Sequence, residues 1–324
     1  MSASHCPDLS VIAADMQAVD RLIHEQLHTG VPLVAEVSQY TISAGGKRLR
    51  PALLLLMAGA LGYSGKQHHQ LAVVLEFINT ATLLHDDVVD ESTLRRSRPT
   101  ANTSFGNPAS VLVGDFLYSR SFQLMVEGKN MRVMEVLADA TNIISEGEVL
   151  QLMHMGDAGL TEDDYLRVIR SKTAKLFEAS SRLAAVLTNS PPALEEQCAI
   201  YGQALGTAFQ IIDDVLDYEG SVELLGKNLG NDLREGKATL PLILAMRQGS
   251  TAQAAVVRQA LEQGAVDAFD EVAQIVRNTG ALDAALQTAA TEAARAVAAI
   301  AALPDNAYVC ALRELAMQLQ HRTT

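Results

Sequence analysis

The sequence predicts an all-α fold. Apolar residues recur at helical spacing through nearly every segment, and strict alternation is absent. The core material is mostly Leu, Ala, Val and Ile: 48% of the 324 residues are hydrophobic, only 4% are aromatic, and Trp is missing. Packed helices suit that inventory better than a sandwich or barrel. No shift of composition marks a boundary and no short-period repeat is present, so residues 1–324 are read as a single domain.

The elements follow in chain order. Residues 9–29 form an amphipathic first helix. Pro32 suits the first turn of a second helix, 32–44, because its missing N–H would have no partner there; the Gly pair 45–46 ends it. Residues 51–61 form a wholly apolar helix stopped near Gly62 and Gly65. A long helix covers 67–90 and gives way to a charged loop, 91–106. Helices follow at 108–127 and 130–155. Thr161 with Asp164 has the spacing of a capping box opening a helix over 161–188. The Pro pair 191–192 opens another, reaching 218. Gly220, Gly226, Gly230 and Gly236 punctuate a loop, and 239–321 reads as shorter Ala-rich helices.

A net charge of −13 argues against nucleic acid as a partner, since that needs a basic footprint. Cys6, Cys198 and Cys310 are few, odd in number and far apart, which predicts neither disulfide framework nor cysteine metal site and suits a reducing cytoplasm. The N-terminus lacks the basic-then-apolar pattern of a signal peptide. The longest apolar run, PALLLLMAGALG, is too short for a membrane span.

The sharpest signal occurs twice. Asp86-Asp87-Val88-Val89-Asp90 ends one apolar helix, and Asp213-Asp214-Val215-Leu216-Asp217 ends another. Positions i and i+4 share a helix face, so Asp86 with Asp90, and Asp213 with Asp217, present paired carboxylates one turn apart. Like charges at that spacing repel, and the helix dipole disfavours anions at a C-terminus. A divalent cation removes both penalties. Mg²⁺ takes oxygen ligands and is commonly held by one or two carboxylates plus substrate phosphates. Two such clusters facing each other would clamp a diphosphate through bridging metal ions.

Cations gather around these motifs. Gly45-Gly46-Lys47-Arg48-Leu49-Arg50-Pro51 sets three cations on flexible backbone. Arg95 and Arg96 follow the first cluster by one short loop. Lys172 stands midway along a long helix beside Thr173, and Lys227 and Lys237 flank the loop after the second cluster. Arg and Lys are the natural partners of diphosphate oxygens.

At this point the chain resembles the trans-isoprenyl diphosphate synthase family over nearly its whole length, through GGKRLRP, LLHDDVVDESTLRR, PTAN, GDFLYSR, GEVLQL, KTAKLFEAS, GTAFQIIDDVLDY and GKNLGNDLREGKATLP in that order. Within it, the resemblance points to the long-chain, octaprenyl-type branch that supplies side chains of respiratory quinones such as ubiquinone. It implies an isoprenoid-synthase-type helical bundle around a central apolar cavity, a homodimer, two or three Mg²⁺ ions, and a product passed to the inner face of the membrane. The substrates it implies are isopentenyl diphosphate and an allylic diphosphate such as farnesyl or geranylgeranyl diphosphate.

By the same resemblance, Asp86 and Asp90 hold Mg²⁺ with Asp87 in support, and Asp213 with Asp214 and Asp217 holds a further ion. Arg95 takes the allylic diphosphate. Lys47, Arg50 and Arg96 take isopentenyl diphosphate, and Lys172, Thr173 and Gln210 line the reaction centre; Lys227 and Lys237 are further diphosphate-binding candidates through their place beside the second cluster. The chain departs from the pattern at Asn79, where the long-chain branch usually has His in the isopentenyl diphosphate site. Asn keeps a hydrogen-bond donor but cannot carry charge, so weaker binding of that substrate is expected. It departs again at Ser97, where Gly commonly follows the Arg pair.

Product length should follow from the room left for the tail. Ala81 lies five residues before Asp86, with Thr82 beside it, and in the resemblance a bulky aromatic near this position gives short products. The helix 67–90 is about 36 Å long, enough for roughly seven or eight isoprene units of about 5 Å each. Met125 and Leu137 on the next two helices are the candidates for the floor. Ala81→Phe is expected to shorten the product by several units, read by mass spectrometry; a distribution identical to wild type would sink the steric account.

Overall fold

The computed structural model describes residues 9–219 and 230–319. Most of them, 79%, are helical: α1 (Ala13–Gln26), α2 (Pro32–Ser43), α3 (Leu49–Ala60), α4 (Gln67–Val89), α5 (Ala101–Phe105), α6 (Asn107–Glu127), α7 (Met131–Met153), α8 (Glu162–Ile169), α9 (Lys175–Leu187), α10 (Pro192–Glu219), α11 (Asn231–Arg234), α12 (Leu240–Gln248), α13 (Thr251–Gln263), α14 (Phe269–Asn278), α15 (Ala281–Ala299) and α16 (Ala307–Leu319). The all-α expectation holds.

Local chemistry explains the boundaries. Pro32 opens α2 at its first turn, as expected. Asn130 caps α7 through its side-chain oxygen, and Ser250 with Gln253 forms a complete capping box on α13. Thr161 caps α8 by accepting from the Asp164 N–H, but the expected reciprocal bond is replaced: the Thr161 hydroxyl donates to the Asp164 carboxylate at 2.6 Å.

Two expectations need correction. The segment 91–106 is not only a loop. It holds an antiparallel pair, β1 (Leu94–Arg95) and β2 (Arg98–Pro99), and then α5. Arg96 and Ser97 join the strands with φ of 52° and 60°, the left-handed pair that a tight two-residue hairpin demands. Glycine favours that conformation, so Ser97 adopts the backbone geometry that the expected Gly would have taken. The helix expected over 161–188 is also broken. Arg170–Ala174 form a π-turn between α8 and α9, and Lys172 and Thr173 sit inside it.

The core explains the rest of the architecture. α3 is buried on all sides from Pro51 to Ala58 because α4, α9 and α16 surround it. α4 lies against α6, and α10 against α9 and α15. α10 joins two apolar clusters. Tyr201, Leu205 and Ala208 belong to one with α1–α7, α9, the C-terminal half of α15 and α16; Ile211, Val215 and Tyr218 belong to the other with α8, α11–α14 and the N-terminal half of α15. No described helix is long and apolar enough to cross a membrane.

The π-turn fits because its neighbours lack side chains. A Cβ on Gly147 of α7 would stand 2.7 Å from the Lys172 backbone nitrogen, and one on Gly206 of α10 would stand 2.7 Å from Ala174 Cα. Backbone cannot yield as a flexible side chain can. Gly206→Val should therefore cost about 2 kcal/mol or more, over-packing outweighing the gain in helix propensity. Urea denaturation measures it, and an unchanged midpoint would refute the close approach.

Candidate active site

The two aspartate clusters lie at the same end of the bundle, on the C-terminal turns of α4 and α10, and side chains from α7, the π-turn and α11–α12 fill the space between them. Asp87 is turned inward and only 3% exposed. Arg95 donates to its Oδ1 through Nε at 3.0 Å and Nη2 at 2.8 Å, and Asn102 ties the hairpin back by donating to the Asp87 carbonyl at 3.0 Å. Burial pushes the Asp87 carboxyl above its ordinary range, and Arg95 opposes that shift.

Asp86 and Asp90 face a cavity of about 740 Å³ lined also by His85, Ser145, Glu148, Gln151, Leu152, Lys172 and Arg234. Lys172 donates to Gln151 at 2.8 Å and pairs with Glu148 at 2.5 Å and Asp86 at 3.5 Å. Lys237 pairs with Asp90 at 2.9 Å and Glu235 at 2.7 Å. Burial would lower the Lys237 ammonium, but Asp90, Glu235 and Asp232 outweigh it and raise it. Burial, with Asp86 close by, pushes the Glu148 carboxyl up to about 7 against the pull of Lys172.

The second cluster is enclosed differently. Asp214 and Asp217 are buried and Asp213 is half-buried. Asp214 accepts from the Tyr165 hydroxyl at 2.7 Å and from Gln210 Nε2 at 2.8 Å, while Gln210 Oε1 accepts from Thr173 at 3.0 Å. Burial and the nearby Asp232 hold the Asp214 carboxyl well above the usual range. Asp217 accepts from the Asp232 backbone N–H at 3.3 Å. A smaller cavity lined by Gln151, Tyr165, Lys172, Thr173, Gln210, Asp214, Asp232 and Lys237 shares Gln151 and Lys172 with the large one.

The other cations form a separate group beyond Asp87. A second small cavity is lined by Gly45, Glu76, Asn79, Arg95 and Arg96. The Arg96 guanidinium lies against Gly46, and Lys47 is exposed in the turn before α3. Arg50 stacks over the Phe177 ring at 4.7 Å, with its Nε buried without a partner. Burial lowers its guanidinium to about 10. Glu76 anchors the group: burial raises its carboxyl, and Arg48, Arg50 and Arg96 oppose that rise.

Thus Asp86, Asp87, Asp90, Lys172, Thr173, Gln210, Asp213, Asp214 and Lys237 gather at one end of the bundle, while Arg50, Asn79 and Arg96 line the adjoining flank with Lys47 at its rim. Lys227 lies outside the described residues. Ala81, Met125 and Leu137 are buried in the same apolar cluster, none of them lining the 740 Å³ cavity. Thr82 is half-buried and donates to the Asn79 carbonyl at 2.9 Å. Sequence reasoning gave no role to Glu148, Gln151, Glu76, Tyr165 or Asp232. Glu148 and Gln151 stand three residues apart inside the apolar run GEVLQL, a polar face that the sequence does display.

An all-α bundle with two opposed carboxylate clusters and a cation-lined flank defines a class of enzymes that handle prenyl diphosphates. The chain belongs to the polyprenyl synthetase family, whose model matches residues 31–278, and it is a prenyltransferase with the isoprenoid synthase fold. It is 50% identical to the octaprenyl diphosphate synthase of Haemophilus influenzae over 303 residues, 93% of this chain and 92% of that protein. It is likewise 50% identical to the octaprenyl diphosphate synthase of Escherichia coli K12 over 305 residues, 94% of each. The crystal structure of polyprenyl synthase from Caulobacter crescentus, complexed with calcium and isoprenyl diphosphate, superposes with a TM-score of 0.95 at 43% identity and covers 100% of both chains.

Arg95→Met leaves the buried Asp87 carboxylate unpaired. The expected loss near neutral pH is about 2–3 kcal/mol, below the figure for a fully buried pair because Arg95 is partly exposed. Asp87 already titrates above its unfolded value, so the penalty belongs to the charged form. It should be full above the folded pKa and shrink as pH falls. Stability curves at several pH values test this; a loss independent of pH would refute it.

Proposed function

We propose that this chain is a long-chain trans-polyprenyl diphosphate synthase, of octaprenyl type, that extends an allylic diphosphate such as farnesyl diphosphate with successive isopentenyl diphosphates. The carrying observation is the pairing of two carboxylate clusters with a second, separate group of cations on the flank of α4, since elongation needs two diphosphates held at once.

The donor set suits Mg²⁺. Asp86 and Asp90 offer only oxygen, at the edge of a cavity of about 740 Å³, and no three carboxylates among the described residues converge into a closed cage. Mg²⁺ is ordinarily shared between a few carboxylates and substrate phosphates. Asp86 and Asp90 would hold ions on one side, with Asp213, Asp214 and Asp217 on the other, two or three ions in all. When bound, Mg²⁺ supplies charge neutralisation for the departing diphosphate.

The chain's own residues do the rest. Lys172 and Lys237, held between carboxylates, exchange those partners for diphosphate oxygens, adding fixed positive charge where negative charge develops. Arg95, kept in place by Asp87 and lining the flank cavity, is assigned to the allylic diphosphate by the family resemblance. Thr173 and Gln210, joined by their hydrogen bond, turn their dipoles toward the cationic carbon. Lys47, Arg50 and Arg96 bind isopentenyl diphosphate, with Asn79 as a neutral donor. The double bond of isopentenyl diphosphate then attacks the allylic carbon, and the proton it loses passes to the released diphosphate. The apolar walls exclude water that would quench the cation. Ala81 leaves the tail a path into the core, with Met125 and Leu137 as its floor and Thr82 on its flank.

The chain reads as one domain, because α10 belongs to both apolar clusters. It also reads as a homodimer: Leu112 and Val126 of α6 are 66% and 62% exposed, and Met131 of α7 is 72% exposed, an apolar surface that a second copy would cover. The assignment places it in the cytoplasm beside the membrane that receives its product for quinone synthesis.

Purified protein given farnesyl diphosphate, isopentenyl diphosphate and Mg²⁺ should make prenyl diphosphates of about eight units. Chelation by EDTA should abolish turnover, and Lys172→Met should lower kcat about 10²–10³-fold. Light scattering should give the mass of two chains. Folded protein that makes no long product would overturn the assignment.

A further inference from the structure

The first turn of α4 carries His68 and His69, far from the chemistry just described: Asp86 lies eighteen residues further along the same helix, about 27 Å away. Both rings meet Asp15 in the first turn of α1. His69 Nε2 stands 2.8 Å from Asp15 Oδ1, and His68 Nε2 stands 3.7 Å from the same oxygen. The three ligand atoms lie within 4.8 Å of one another, and no other group of His, Cys, Asp or Glu among the described residues converges in this way.

A histidine–aspartate pair accounts for His69 but not for His68. The His68 Nε2 is beyond hydrogen-bond reach of Asp15, its Nδ1 is buried without a partner, and the residue is only 8% exposed. The unpartnered Nδ1 carries a desolvation cost, and the other ring nitrogen, Nε2, is the one turned toward Asp15. Its position is nonetheless fixed: His69 lies against it with ring centroids 4.0 Å apart, and Tyr63 packs edge-on at 5.2 Å. Burial and the neighbouring His69 push the His68 imidazolium down, toward the neutral form that ligates metals, while Asp15 opposes the shift.

We infer that His68 Nε2, His69 Nε2 and an Asp15 carboxylate oxygen form a binding site for a divalent transition-metal ion of the zinc type, with water as fourth ligand, tying α1 to α4. Tetrahedral bonds of about 2.0–2.1 Å separate donor atoms by about 3.3 Å. The observed His–Asp separations of 2.8 and 3.7 Å lie on either side of that value, and the two imidazole nitrogens lie within 4.8 Å of each other. Two imidazoles select zinc, cobalt, nickel or copper over Mg²⁺, which prefers oxygen. The site is therefore chemically distinct from the aspartate clusters.

The test uses full-length protein without a histidine tag, stripped with EDTA and returned to millimolar Mg²⁺ to occupy the aspartate clusters. Titration with Co²⁺ should give one equivalent bound, with the visible absorption of four-coordinate Co²⁺, displaced by one equivalent of Zn²⁺. Zn²⁺ at a hundredfold excess over Kd should raise the Tm by about 4 °C. His68→Gln should weaken binding at least about tenfold and leave prenyl transfer unchanged. X-ray absorption of the Co²⁺-loaded wild type should show nitrogen ligands at about 2.0–2.1 Å, and decides the matter even where a variant folds poorly. Wild-type protein with no visible band, a band retained at full strength in His68→Gln, or an all-oxygen shell would overturn the site.

Discussion

Crowding negative charge at one end of a helical bundle is the constraint to which the surrounding structure answers. Asp86, Asp87, Asp90, Glu148 and Asp214 converge there from three helices, and each has a cation or donor assigned to it. Arg95 serves Asp87, Lys172 serves Asp86 and Glu148, and Lys237 serves Asp90. Tyr165 and Gln210 serve Asp214. Removing one partner from such an array exposes the full desolvation cost of the other. The hairpin that delivers Arg95 and the turn that delivers Lys172 are therefore as much a part of the site as the aspartates are.

Much of this was legible in the sequence because it is local. The Asp pairs are visible as i and i+4 on apolar helices, and the helices themselves as 3.6-residue periodicity. Pro32 marks its own helix start. The cations cluster in sequence before they cluster in space. What was not legible is what tertiary contact decides. Glu148 and Gln151 look like one polar face of an ordinary helix until Lys172 is placed opposite them. Glu76 sits in the middle of a long helix with no nearby charge in sequence, and only the fold brings Arg48, Arg50 and Arg96 to it.

The hairpin shows a different limit. Two positive φ values usually announce themselves as Asn-Gly or Asp-Gly; here Arg96 and Ser97 take that conformation without either signal. The flanking strands are too short to alternate. The backbone is held instead by Asn102, which donates to the carbonyls of Asp87 and Ser92 from the helix beyond. Thr161 and Asp164 show the converse: the spacing of a capping box was present, yet the two side chains bonded to each other.

The π-turn at Arg170–Ala174 has a consequence for the helices on either side. One additional residue in a turn shifts the phase of everything beyond it, so the stripe that faces inward on α8 and the surface of α9 need not be in register. α8 buries Tyr165, Val168 and Ile169 on one side, whereas α9 is buried nearly all round. Within the π-turn, Lys172 reaches Gln151 of α7 and the adjacent Thr173 reaches Gln210 of α10. The inserted residue acts as a rotary joint between α8 and α9, with adjacent side chains pointing into two different walls of the same cavity.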